Sequence, residues 1–340
     1  MEADVQEVIE FFEWTEIADK PFELFPNGDI LVPPHWQTPL TLRKALINHL
    51  DIFGRPKRYF FHLLSFFTPD VMHAEKLQEF ASAQGQEELY AYCHKLRRTT
   101  FEVLTDFHSC KNKIPVGYLF DLVPAMRPKM YSISSTQNNL AGRLDVTVGV
   151  VKYKTRMQKM REGVCSKMIA ALGVGDTVHF RIDHGTMKLP KDLFTPVILI
   201  GAGTGIAPMR SLLLERIHQG ATENVLFTGF RGKSSDNLYG SEFEAFEKSG
   251  QLTVFNAFSR DDPNKVVYIQ HRMVEQGQLI WDLLKRGACL YVSGNAQRIP
   301  KGVNDALVSI FKKTGGLSEE EALAHLAGLE KSRQYQSECW

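Results

Sequence analysis

Apolar residues recur at helical spacing through the first third of the chain. Val5, Val8, Ile9 and Phe12 make one stripe, Leu42, Ala45, Leu46 and Leu50 another, and similar patterns follow over about 57–67, 70–83, 86–107 and 115–123. Pro21 to Pro39 is a proline-punctuated connector, and Thr38 stands where the cap of the next helix belongs. Phe60, Phe61, Leu64 and Phe67 form an aromatic stripe that reads as core packing. An all-helical layer, a spacer or a cap, is expected here. From Lys129 the period falls to two. Met130, Ser132 and Ser134 alternate with Tyr131 and Ile133, then Leu144, Val146, Val148 and Val150 continue the alternation, and Thr177 to Ile182 reads as a third strand. Between them Gly163-Val164-Cys165-Ser166 opens a short helix over Met168 to Leu172.

The last third alternates strand and helix. Val197 to Ile200 is an unbroken apolar run of the kind a strand buried on both faces needs, and Gly201, Gly203 and Gly205 follow at once. A helical pattern runs on from Ile206 through Leu212, Leu213 and Ile217. Strands are expected at Val225 to Phe230, Thr253 to Phe258 and Cys289 to Ser293, with helices near 241–248, 270–285 and 302–313. Such alternation predicts an open parallel sheet with ligands at the carboxyl ends of its strands.

Two turns carry candidate chemistry. A strand, a glycine turn and a helix N-terminus make an anion site, because unpaired backbone N–H groups point outward where no side chain blocks a phosphate. The G-x-G-x-G spacing at Gly201, Gly203 and Gly205, followed by Ala207-Pro208, is neither the G-x-G-x-x-G fingerprint nor the G-x-x-x-x-G-K-[ST] loop, so a tight turn without a ligand competes with a pyrophosphate cradle. Gly163 to Ser166 is a second strand-to-helix turn with a hydroxyl beside it, which suggests two dinucleotides placed to react with each other. An NAD site would set an acidic residue about 20 residues beyond the glycines. The chain offers instead Arg231 after one strand, and Ser259-Arg260, Lys265, Tyr268 and Gln270 after the next. Fixed positive charges with hydroxyl donors match a 2′-phosphate, and Tyr268 or Arg260 could stack on an adenine, so NADPH is expected rather than NADH. The competing reading is a basic surface loop.

Composition narrows the class. At 340 residues, 44% hydrophobic and 23% charged, the chain has the make-up of a soluble globular protein of about two domains. A net charge of +1 gives no bulk field for nucleic acid or an anionic membrane. No apolar run approaches the about 20 residues of a membrane span, and the acidic start (Glu2, Asp4, Glu7, Glu10) is unlike a signal peptide. Cys93, Cys110, Cys165, Cys289 and Cys339 are odd in number with no C-x-x-C pair, and the 11 histidines lack metal-ligand spacing. A reducing, cytoplasmic setting without structural disulfides or metal is expected.

KMYSISS at 129–135, GVCS at 163–166, GAGTGIAP at 201–208, AFSR at 257–260, YIQHRM at 268–273, YVSGNA at 291–296 and the terminal Trp340 occur in the order of the ferredoxin-NADP reductase-like half of diflavin reductases. The chain resembles that family throughout its length. EFASAQGQEELYAYC and the ending RQYQSECW are similar in particular to the NADPH-dependent diflavin oxidoreductases of the cytosolic Fe–S assembly type, relatives of the NADPH-cytochrome reductases. The resemblance implies a helical connecting region over 1–126, a shortened antiparallel FAD-binding barrel over 127–190 and a doubly wound NADPH-binding domain over 191–340. It implies FAD contacts at Arg97, Lys129, Met130, Tyr131 and Ser132, with Tyr131 stacked on the flavin and Ser132 near its N5. Gly163, Val164, Cys165 and Ser166 would hold the FAD pyrophosphate, and Trp340 would cover the ring face that nicotinamide must reach. Gly203, Thr204 and Gly205 would meet the NADPH phosphates. Arg231, Ser259, Arg260, Lys265, Tyr268, Ile269 and Gln270 would hold its adenosine end.

Hydride would pass from nicotinamide to flavin with Ser132, Ser293, Glu338 and Trp340 as the catalytic set, and the swing of Trp340 would gate turnover. The partners implied are an FMN module or flavodoxin-like protein and an Fe–S assembly protein of the anamorsin type, with no nucleic acid and no membrane. FMN belongs to the parent architecture only. Departures from the family pattern are Lys129 for arginine, Ser293 for cysteine, Glu338 for aspartate, Gln297 for arginine and Gly302 for aspartate. The resemblance also begins after the family's first barrel strands, which would leave an open sheet edge in a fragment or natural short form. A catalytically silent NADP-binding or partner-docking module is the alternative. An ordinary Rossmann dehydrogenase is disfavoured because no acid–base pair stands near the glycine turn.

Overall fold

The computed structural model describes residues 2–25, 36, 39–138, 142–262 and 264–340. They divide into two units. One holds the residues up to Lys129 together with Val150–Gly173, and the other Met130–Gly149 together with Val174–Trp340.

The first unit is mostly helical. Its elements are α1 (Glu2–Phe11), a two-residue pair β1 (Pro21–Phe22) and β2 (Leu40–Thr41), then α2 (Leu42–Asn48), α3 (Arg58–Ser65), α4 (Val71–Ala81), α5 (Gln86–Leu89), α6 (Thr100–Asp106) and α7 (Leu119–Leu122). A hairpin of β3 (Lys152–Lys154) and β4 (Met160–Glu162) then leads into α8 (Val164–Ala170). The apolar stripes read from the sequence converge on one core. Val5, Val8 and Ile9 of the first helix, with Phe12 just after it, meet Leu42, Ala45 and Leu46 of the second and Phe60, Phe61 and Leu64 of the third. Phe12 stacks on Trp14 with ring centroids 4.3 Å apart. Thr38 lies outside the described residues, and the cap of α2 is Thr41, whose hydroxyl accepts the Lys44 N–H at 3.2 Å.

The continuous helix expected over 86–107 is broken. α5 passes into one π turn over Tyr90–His94, Arg97 takes a left-handed φ of 56°, and α6 restarts at a capping box. The physical reason is Thr99-x-x-Glu102. Thr99 accepts the Glu102 N–H and the Glu102 carboxylate accepts the Thr99 N–H, which favours a new helix start over continuation.

The second unit is built on a five-stranded parallel sheet in the order β7-β6-β5-β8-β9. Its elements are β5 (Val197–Ala202), α9 (Ile206–His218), β6 (Asn224–Phe230), α10 (Gly240–Lys248), β7 (Thr253–Phe258), α11 (Ile269–Glu275), α12 (Gly277–Lys285), β8 (Cys289–Gly294), α13 (Ile299–Lys313), α14 (Glu319–Lys331) and β9 (Tyr335–Cys339). Alternation along β5 splits its apolar run between two cores. Ile198 and Ile200 pack with α11 to α14, while Val197 and Leu199 pack with Ile206, Met209 and Leu213 of α9. Helices therefore cover both faces. The helix expected over 270–285 is two, because α11 ends at Glu275, Gln276 is its C-cap and Gly277 begins α12. α14 and β9 were not among the expected elements.

The strands expected between 130 and 182 form only sparsely. Ile133 and Val146 make one antiparallel bridge. Thr177 to Ile182 has strand-like alternation, yet no ladder includes it among the described residues, and Val178, Phe180 and Ile182 are exposed. A period-two pattern marks faces, but a ladder also needs a neighbouring strand for its N–H and C=O groups.

The closest approach in the sheet sets a test. A Cβ built at Gly205 would lie 2.2 Å from the Ser293 carbonyl oxygen, whereas one at Gly203 would meet nothing within 4 Å. Gly205→Ala should lower unfolding stability by about 3 kcal/mol through overpacking. Gly203→Ala should cost about 1 kcal/mol, from its positive φ alone. Urea unfolding of both variants checks the ordering.

Candidate dinucleotide site

The strand order reverses between β5 and β8. The chain runs outward from β5 to β6 and β7, then returns to the other side of β5 for β8 and β9. In such sheets the crevice at the carboxyl ends of the two central strands is the expected ligand position. One wall is the 3-10 turn Gly203–Gly205 that links β5 to α9, and the other is Ser293-Gly294 at the end of β8. Gly203 (φ +55°) and Gly294 (φ +149°) both hold backbone conformations that disfavour side chains. With open space at Gly203 and the first-turn amides of the 13-residue α9 beyond it, the turn fits a pyrophosphate. Ser293 is fully buried, and its hydroxyl has no hydrogen-bond partner.

The basic residues gather along the same edge. Phe230 and Phe258 are paired ends of β6 and β7, so Arg231 and Ser259-Arg260 emerge side by side, and the Arg260 amide donates to the Arg231 carbonyl at 2.7 Å. Backbone here is fixed by carboxylates. Asp236 accepts the amides of Gly232 at 2.8 Å and Arg231 at 3.0 Å, and Asp261 accepts the Lys233 amide at 3.1 Å. Burial opposes ionisation of Asp236, but those amides and the Ser235 hydroxyl prevail and hold its carboxyl below the usual range. The side chains of Arg231, Arg260, Lys265 and Tyr268 are left exposed. Gln270 flanks Gly302, where a Cβ would come within 3.4 Å of its amide carbon. Ile269 turns inward to fill the space beside Gly229, so only its backbone at the head of α11 could reach a ligand.

Two domain families match the chain. The FAD binding domain matches residues 1–168 and the oxidoreductase NAD-binding domain residues 199–304, the stretch holding the crevice. The chain thus carries an FAD-binding domain and an oxidoreductase NAD-binding domain. It is similar to NADPH-dependent diflavin oxidoreductase 1 of Danio rerio, 44% identical over 324 residues that cover 94% of this chain and 54% of the relative. The Xenopus laevis protein of that name is 42% identical over 313 residues, covering 91% and 52%. The Schizosaccharomyces pombe protein is 35% identical over 337 residues, covering 99% and 57%. The chain thus spans about half the length of the curated relatives it matches.

Of the residues assigned to catalysis, three come together. Ser293 and Glu338 are register partners on β8 and β9, and Glu338 accepts a hydrogen bond from the Thr186 hydroxyl at 3.3 Å. Trp340 is strapped to the end of β8, since its amide donates to the Gly294 carbonyl at 3.1 Å and its carbonyl accepts the Ala296 amide at 2.9 Å. Its ring is half exposed. Ser132 and Tyr131 are half-buried and Met130 is exposed, in the extended segment that precedes Ser134.

In the first unit, Gly163 is the N-cap of α8 and the Ser166 hydroxyl is buried in the turn. That hydroxyl accepts the Val151 amide at 3.1 Å and donates to the Gly163 carbonyl at 3.2 Å, so it braces the turn. Val164 and Cys165 form the first turn of α8, and Lys129 is exposed at the end of the connecting segment.

Two residues of this unit, Tyr153 and Glu102, escaped sequence reasoning. The guanidinium of Arg97, a residue the sequence had placed at the flavin, lies 4.6 Å over the Tyr153 ring. Glu102 binds Lys159 at 2.7 Å and also pairs with Arg161, tying the β3–β4 hairpin to α6. Only the capping-box signature Thr99-x-x-Glu102 could have flagged it. Elsewhere, burial pushes the Cys93 thiol up to about 11 and the Cys110 thiol up to about 12, so both stay protonated and inert.

Burial raises the Glu102 pKa, but Arg161, Lys159 and the Thr99 amide together outweigh it and lower the value from 4.5 to about 2. A folded-state value below the unfolded one means that the stabilisation is complete above the unfolded value and lost as pH falls toward the folded one. Glu102→Gln should therefore be less stable than the parent by about 2 kcal/mol at neutral pH. The difference should shrink as pH drops from about 4.5 toward 2, which urea titrations across that range measure.

Proposed function

We propose that the chain is the NADPH- and FAD-handling part of an electron-transfer flavoprotein, one that passes electrons through an FMN module to a protein acceptor. The observation that carries this reading is the placement of the glycine turn, Arg231 and Ser259-Arg260 at the carboxyl ends of three neighbouring strands, β5, β6 and β7. A pyrophosphate on Gly203, Thr204 and Gly205 would leave the adenosine end over the basic residues and the nicotinamide end toward Ser293. Arg231 and Arg260, with Ser259, Lys265, Tyr268 and Gln270, would grip a 2′-phosphate by charge and hydrogen bonds. When bound, NADPH supplies a hydride and FAD accepts it.

The chain's own residues align and shield. Ser293 keeps an uncommitted, buried hydroxyl at the end of β8, Glu338 is its register partner on β9, and Trp340 would shift to admit nicotinamide. Arg97, Lys129, Met130, Tyr131 and Ser132, with the Gly163–Ser166 turn, would hold FAD. No described helix is long and apolar enough to cross a membrane, and a cytoplasmic location is part of the proposal. So are an FMN-domain or flavodoxin-like partner and an Fe–S assembly acceptor of the anamorsin type. The exposure of Val178, Phe180 and Ile182 favours a second reading, a silent NADP-binding module with an incomplete flavin site.

Reconstitution with FAD followed by anaerobic addition of NADPH or NADH separates the two. The visible flavin band should bleach with NADPH and far more slowly with NADH. Arg260→Gln should raise the NADPH KM about tenfold without changing kcat. Binding of 2′,5′-ADP by a chain that takes up no flavin would favour the silent module, and no binding of either would remove both readings.

A further inference from the structure

We propose that Arg210 is a positioning residue, which pins the extended segment carrying Tyr131 and Ser132 to the helix that begins at the glycine turn. In this way residues placed for flavin and residues placed for nicotinamide would keep one relative position. The inference rests on the function proposed above.

Its starting point is how little backbone pairing the segment has. Among the described residues of the 130–149 stretch the single bridge is Ile133 to Val146, supplemented by the Ser134 amide on the Asp145 carbonyl at 2.8 Å. Side chains of α9, together with Tyr239, hold it further. The Arg210 guanidinium donates to the Ser134 carbonyl at 2.7 Å and forks onto the Glu242 carboxylate of α10 at 2.6 and 2.8 Å. Asp145 lies 3.6 Å away, and the Tyr239 ring stacks on the guanidinium at 4.4 Å. Tyr239 itself is held in a left-handed conformation (φ 60°) and shares a 2.7 Å hydrogen bond with Thr147, from the same extended stretch. Ser211 donates to the Ser135 carbonyl at 2.8 Å. Farther along α9, Glu215 accepts hydrogen bonds from Thr136 and from Asn138, the latter at 2.8 Å.

Consecutive residues 134, 135 and 136 are thus fastened to a helix whose first turn borders the phosphate cradle. Ser132 is two positions before the pinned carbonyl, about 7 Å along an extended chain, so motion at the pin is felt there with little attenuation. Arginine is required because one planar fork serves a carboxylate, a carbonyl and an aromatic face together. Lysine could hold only part of that set.

The test uses Arg210→Lys and, since either change could disturb folding, the milder Ser211→Ala. Amide hydrogen exchange over 130–136 is compared in the flavin-free chain, together with 2′,5′-ADP affinity. Flavin reduction by NADPH is then followed in the reconstituted protein. Exchange in Arg210→Lys should quicken about tenfold, and hydride transfer should slow about tenfold with an enlarged isotope effect from 4-deuterated NADPH. The NADPH KM and the 2′,5′-ADP affinity should stay within about twofold of the parent. Ser211→Ala should show smaller changes of the same kind. Unchanged exchange, unchanged transfer despite faster exchange, or a raised KM with intact kcat would overturn the inference and leave the proposed function standing. A parent protein that takes no hydride from NADPH would instead overturn the function, and the inference with it.

Discussion

The turn after β5 and the end of β8 approach so closely that no side chain fits between them. A Cβ at Gly205 would sit 2.2 Å from the Ser293 carbonyl and 2.8 Å from the Gly294 Cα. This contact joins the two central strands where the chain reverses direction across the sheet. It also fixes the floor and walls of the crevice. Gly203, facing open space, leaves the amides at the start of α9 accessible, while Ser293 lies buried with an unpaired hydroxyl. A side chain at Gly205 would disrupt this packing, while one at Gly203 would occupy the open space beside those amides.

In each unit an extended segment is held by charged side chains. In one unit Arg210 gathers Glu242, Asp145, Tyr239 and the Ser134 carbonyl. In the other Glu102 gathers Lys159, Arg161 and the Thr99 amide, and Arg97 rests on Tyr153. Charge-assisted bonds of this kind are directional and costly to leave half made, so they specify a position even where they add little net stability. That suits segments whose own backbone pairing is thin.

Much of the sheet was legible in the sequence because its signals are local. The run Val197 to Ile200 followed by glycines announces a buried strand and a tight turn, and Arg231 and Arg260 follow strands directly. Other features failed for physical reasons. Thr177 to Ile182 alternates as a strand should, but a ladder depends on partners that the pattern does not name. The break near Arg97 came from a capping box read as helix interior. α14 could have been found from the box Ser318-x-x-Glu321, both halves of which form. Arg210 could not, since the carbonyl it holds is 76 positions away in the chain.

The central claim is that the crevice between β5 and β8 receives a phosphorylated nicotinamide dinucleotide. Amide NMR of the deuterated chain during titration with NADP⁺ tests it most directly. Shifts should concentrate at Gly203, Thr204 and Gly205, at Arg231, Ser259 and Arg260, and at Ser293-Gly294, saturating together as one site. Shifts that bypass those amides and collect instead elsewhere, as around Asp305, Lys312 and Leu323 between α13 and α14, would contradict it.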